Sequence, residues 1–76
     1  MSVLVRVRPL PKRGSLAWRF LMLCLHSRDT RMTAQQVAER FHAWGHTSVA
    51  TRLRRWIQRG ILARYPEGYG IGRAWL

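Results

Sequence analysis

Cys24 is the only cysteine in this chain, which removes the usual props of a very small protein. No disulfide can close within one copy, and a lone cysteine cannot build a structural zinc site by itself. The 76 residues leave room for one domain, and a chain this short buries only a modest fraction of its surface. One dense apolar core must therefore hold it together. The supply is adequate: hydrophobic residues make up 47%, with Trp18, Trp44, Trp56 and Trp75 among them, too many for wholesale disorder. Cys24 sits inside the apolar run 20–25, so it reads as a buried, inert thiol in a reducing compartment, the cytoplasm. That run is the longest uncharged apolar stretch and is far short of a membrane span. Residues 1–8 are too interrupted by charge to be a signal peptide.

Breakers divide the rest. Residues 1–14 read as a basic N-terminal arm. Val3, Val5 and Val7 alternate with Leu4, Arg6 and Arg8, which permits a short strand, and Pro9 and Pro11 then forbid regular pairing. Such a segment is either a flexible tail or an arm that lies along DNA and enters a minor groove. Ser15 is placed to cap a first helix over 16–26. At about 100° per residue, Leu16, Phe20, Leu23 and Cys24 share one face, with Trp18, Leu21, Met22 and Leu25 opposite. A helix apolar on both sides must be covered on both, so a homodimer through Trp18, Leu21, Met22 and Leu25 is expected.

After a polar connection, Thr33-Ala34-Gln35-Gln36 fits a capping box for a second helix over 34–42, with Ala34, Val37, Ala38 and Phe41 facing inward. Residues 43–46 form a turn in which Gly45 supplies conformational freedom. A third helix runs from 46 or 47 to 59, with Val49, Leu53, Trp56 and Ile57 on one face and Gly60 as its terminator. Residues 61–65 read as a strand and 66–68 as a turn. Residues 69–76 read as a returning strand loosened by Gly70 and Gly72.

Charge narrows the partners. Fourteen Lys and Arg face only Asp29, Glu39 and Glu67, a formal net charge of +11. An excess of this size implies a polyanion, nucleic acid before an anionic membrane. All the basic residues but Lys12 are arginine, the side chain suited to bidentate phosphate and guanine contacts.

Residues 33–41, then Val49, Leu53 and Trp56, then 60–64 and a glycine-bearing hairpin together resemble a winged helix-turn-helix domain over about residues 15–76. The resemblance implies an α+β, mostly helical fold: three helices and a C-terminal β-hairpin wing, with the third helix as the recognition helix. It also implies double-stranded DNA as partner and transcriptional regulation as role. Small size and basic character are similar to regulators encoded by phages and mobile elements. The chain departs from the family pattern in a turn after Phe41 that is about one residue longer and contains Trp44, and in Glu67 at the wing tip.

The residues support that reading independently. Opposite its apolar face, the third helix carries Thr47, Ser48, Thr51, Arg54, Arg55 and Gln58, types that read or grip DNA. Thr47, Ser48 and Thr51 are assigned to base-edge contact, Arg55 to a guanine, and Arg52, Arg54 and Arg59 to phosphates, with His46 contacting phosphate or base. Gln35 and Arg40 on the second helix are expected near the backbone, and Arg64 and Arg73 beside the wing. The few scattered acids make carboxylate-pair chemistry untenable, so no enzyme is expected. The turn at Gly45 keeps His42 and His46 off a common helix face, and with Cys24 they make only three candidate ligands, so neither metal nor cofactor is expected. Two other functions remain open at this level: a module that grips a host protein, and RNA binding, which would favour exposed aromatic residues.

Overall fold

Chemical signals mark the starts of the first two helices and the end of the third. The computed structural model describes residues 10–42 and 46–75, with His46 and Thr47 described by backbone alone. Pro11 is already buried, and the Ser15 N–H donates to the Lys12 carbonyl at 2.9 Å across a turn. Gly14 holds the third position of that turn at φ 87°, a left-handed conformation that glycine adopts without strain. Ser15 then caps α1 (Leu16–His26), its hydroxyl accepting from the Trp18 N–H at 3.2 Å.

The capping box of α2 (Ala34–Arg40) is complete. The Gln36 N–H donates to Thr33 Oγ1 at 3.1 Å, and the Thr33 N–H donates to Gln36 Oε1 at 2.9 Å. The helix stops two residues before the expected 42, because His42 takes φ 53° and leaves helical geometry. Histidine is among the non-glycine residues that tolerate this region. Gly45, expected to supply the turn, lies outside the described residues.

α3 (His46–Gln58) ends in a full Schellman motif. Gly60 sits at φ 78°, its N–H donates to Ile57 O at 3.0 Å, and the Ile61 N–H donates to Trp56 O at 3.0 Å. The chain then enters an antiparallel hairpin of β1 (Leu62–Tyr65) and β2 (Gly68–Ile71), with Leu62 opposite Ile71 and Tyr65 opposite Gly68. Pro66 and Glu67 form the two-residue loop.

The returning strand is shorter than expected. It ends at Ile71, and residues Arg73–Trp75 form a 3-10 turn. The reason is a tight crossing over the end of α3. The Gly72 N–H bonds Ile61 O at 3.1 Å, Ala74 N–H bonds Gly60 O at 3.0 Å, and the Trp75 indole N–H bonds Ile61 O at 3.1 Å. A Cβ on Gly72 would run into the backbone of Gly60 and Ile61. Gly72 therefore permits close approach; it does not loosen a strand.

The connection between α1 and α2 adds a one-residue bridge to the hairpin. Met32 and Tyr69 exchange both backbone hydrogen bonds, at 3.0 and 2.6 Å. The whole is α+β and mostly helical, three helices with one two-stranded antiparallel hairpin among the described residues.

The core draws on every element: Leu16, Ala17, Phe20, Leu21 and Cys24 from α1, Val37 and Ala38 from α2, Val49 and Leu53 from α3, and Ile61, Leu62, Tyr69 and Ile71 from the hairpin region. Phe41 packs edge-on against Phe20, with ring centroids 6.5 Å apart. One expectation is corrected here. Leu21, assigned to a dimer face, is 0% exposed within the single chain. The core stripe of α1 is centred between Phe20 and Cys24, and it is wide enough to take in Leu21 and leave Leu23 half-buried at its edge. Trp18, Met22 and Leu25 are half-buried, and Met22 and Leu25, also assigned to the dimer face, pack in part against this same core. Among the described residues, no helix is long and apolar enough to cross a membrane.

Gly72→Ala is expected to destabilise the domain by about 1–3 kcal/mol through overpacking. Leu53→Ala should cost about 2–5 kcal/mol through loss of core volume. Urea unfolding followed by tryptophan fluorescence measures both. An unshifted midpoint for Gly72→Ala would show that the crossing can relax.

Candidate nucleic-acid interface

Burial of Val49 and Leu53 at 0% exposure fixes the rotation of α3, and so decides what its other side presents. Ser48, Thr51, Arg52, Arg54, Arg55, Gln58 and, just past the helix, Arg59 are all exposed. No acid occurs among them. The side chains of His46 and Thr47, placed at the same end by sequence, lie outside the described residues. Four guanidinium groups in eight positions repel one another, and a merely solvated face ordinarily mixes both signs.

Two grooves flank this face. On one side, a groove of about 470 Å³ separates α3 from the hairpin. Arg54 and Gln58 come from the helix and Arg64 from β1, while Ala50, Ile57 and Tyr69 supply its apolar surface. Arg64 stands directly opposite Tyr69 in the hairpin register, and its guanidinium carbon lies 5.9 Å from the Tyr69 ring centre. The pairing aims a cation from the hairpin across the groove towards the helix. On the other side, a groove of about 330 Å³ lies between α3 and the chain entering α1, with Thr51, Arg52, Arg55 and Trp56 facing Lys12 and Ser15. None of the three acids lines either groove.

Trp56 is half-buried, with the Arg55 and Arg59 guanidinium carbons 5.5 and 5.4 Å from its ring. These distances fall within cation–π range, so the indole gives two long side chains a preferred resting place. The sequence places Trp56 on the apolar face of the third helix; its outer surface also lies against the two arginines.

Of the remaining expected site residues, Gln35 and Arg40 are exposed on α2, and Arg73 is exposed on the 3-10 turn at the base of the hairpin. None of these three lines the grooves beside α3. Lys12 does, and it was not among the residues singled out. Only the tertiary placement of the turn before α1 brings it there.

Not every cation is available to a partner. Arg28 donates to Trp75 O at 2.8 Å. Arg31 donates to Thr30 O and Arg28 O at 2.7 and 3.0 Å, and its guanidinium lies 3.7 Å from the centre of the Tyr65 ring. These two arginines fasten loops together. The Tyr65 hydroxyl in turn donates to Ile71 O at 2.5 Å, so this tyrosine is packed and bonded within the hairpin.

Cys24 is fully buried in the core, and burial pushes its thiol up to about 11 from 9.0. Among the described residues, no group of three or more His, Cys, Asp or Glu is arranged to hold a metal ion. Comparison of the chain with family models, curated proteins and solved structures finds no match.

The raised thiol gives a prediction with a definite sign. Folding favours the protonated form, so the stability it brings is intact below 9.0 and declines as pH rises towards and through about 11. In the same protein at pH 8, Cys24 should resist a water-soluble thiol reagent until denaturant is added. Rapid labelling of the native chain would show that α1 opens readily.

Proposed function

We propose that the protein binds double-stranded DNA as a winged helix-turn-helix domain, with transcriptional regulation as its role. In this reading α2 and α3 are the helix-turn-helix pair, α3 lies in the major groove, and the β1–β2 hairpin is the wing. The observation that carries it is the acid-free outer face of α3, flanked by two grooves whose charged residues are all basic. The helix order and the Met32–Tyr69 bridge are consistent with the same architecture.

Roles follow from position. Ser48 and Thr51 lie towards the N-terminal half of α3, the half that comes nearest to base edges in this docking mode. Arg55, one turn beyond Thr51, is the guanine reader, and bidentate pairing with O6 and N7 would give it selectivity. Arg52, Arg54 and Arg59 neutralise phosphates. Arg64 approaches the backbone from the hairpin side. A dimer through Trp18 and the parts of Met22 and Leu25 that the core leaves uncovered would offer two such faces to a symmetric site.

The test is selection from a randomised duplex pool at near-physiological salt, with the mass of the protein in solution recorded alongside. A short enriched motif is expected, with affinity falling by a log–log slope of about 0.9 per phosphate contact as salt rises. Arg55→Ala should weaken binding by about 1–3 kcal/mol and relax preference at one base pair. Salt-sensitive binding with no enriched sequence would overturn the reading of a specific regulator.

A further inference from the structure

The basic surface does not stop at α3. Beyond Arg52 lies a third cleft, of about 470 Å³, where three elements converge. The Ser15 cap with Leu16 and Arg19 of α1 line it, as do Phe41 and His42 just past α2, and Arg52 of α3. Among the described residues, no carboxylate lines it. It shares Ser15, Leu16 and Arg52 with the groove that holds Lys12 and Arg55, so one basic track runs from the face of α3 round to Arg19.

Arg19 lies within cation–π range of an aromatic ring. Its guanidinium carbon lies 5.2 Å from the centre of the Phe41 ring, and Phe41 is itself packed edge-on against the buried Phe20. A ring attracts a guanidinium without using up its N–H donors, so a phosphate can still accept two of them. His42 is brought to the rim by its left-handed backbone at φ 53°. A concave, acid-free site with arginines from two helices suits a tetrahedral oxyanion and has little to offer a cation or an apolar ligand.

We infer that this cleft binds a phosphate group, and that the phosphate belongs to the duplex backbone just outside the stretch contacted by α3. The phosphate chemistry stands on the cleft alone; its assignment to a duplex rests on the function proposed above. The cleft lengthens the footprint on the side of α3 away from the hairpin, and it makes Arg19 a binding residue.

The experiment uses the full chain and compares Arg19→Gln and Arg19→Lys with the parent. One probe is the selected duplex together with a scrambled duplex, titrated across salt. The other is inorganic phosphate, followed through the NMR signals of the Arg19 and His42 side chains. Arg19→Gln is expected to weaken both duplexes by the same factor and to lower the salt slope by about 0.9, the value of one phosphate contact, while Arg19→Lys keeps the slope. An unchanged slope in Arg19→Gln, with Arg55→Ala still weakening the duplex, would overturn the cleft and leave the reading of α3 intact. Saturable inorganic phosphate binding that Arg19→Gln abolishes, with no duplex bound by any variant, would keep the phosphate site, assign it to a free phosphate ester, and remove the DNA reading. Failure of both probes overturns the site. Should Arg19→Gln not fold, the parent's Arg19 and His42 signals decide: movement on adding either probe supports the site, and stillness against both overturns it.

Discussion

The paired backbone hydrogen bonds between Met32 and Tyr69 set the geometry on which the candidate surface depends. A two-stranded hairpin on its own is marginally stable in water, and these bonds tie it to the helices. The approach is close. A side chain at Gly68 would strike the backbone of Met32 and Thr33, and one at Gly70 would meet Thr30 O and the Arg31 guanidinium. Gly68 also sits at φ 143°, a conformation that residues with side chains rarely adopt. With the hairpin held there, Arg64 is kept at a fixed distance across the groove from Arg54 and Gln58. A looser hairpin would carry the same charges without a defined groove.

The chain also divides its cations by task. Arg28 and Arg31 bond to backbone carbonyls and, for Arg31, to the Tyr65 ring, so their charge is spent on joining α1 and its following loop to the C-terminal segment. The arginines of α3 face outward beside neutral polar residues. Crowding them together disfavours the folded state through self-repulsion, and a polyanion relieves that repulsion on binding. The aromatic rings beneath Arg19, Arg55, Arg59 and Arg64 hold cations without neutralising them. An acidic partner residue would have fixed these side chains equally well and cancelled the field that attracts a phosphate. Scarcity of acids and abundance of aromatic support are thus two parts of one electrostatic arrangement.

Several features were written plainly in the local sequence. The Thr33–Gln36 capping box, the Gly60 terminator and the α3 stripe of Val49 and Leu53 all appear where the residues place them, because each depends on neighbours within a turn or two. The exposed residues of α3 follow directly from the same stripe. Where the reading went astray, the competing force came from distant parts of the chain. Leu21 looked surplus on a helical wheel, but the hairpin and the other helices supply enough cover to bury it. Gly70 and Gly72 looked like flexible points in a strand, when what presses on Gly70 is Thr30 O and the Arg31 guanidinium, and on Gly72 the backbone of Gly60 and Ile61.

Sequence by itself determined the helices, their caps, the hairpin and the acid-free composition of α3, since hydrogen-bonded turns and helical periodicity are short-range properties. Only the tertiary structure decided which charges meet. Lys12 comes beside Arg55, Arg19 beside Arg52, and Arg64 across from Arg54, although they are separated by at least ten positions in the chain. No periodicity encodes those meetings. They arise because one shared core, centred on Phe20, Leu21 and Leu53, packs every element against the others and leaves the remaining faces side by side.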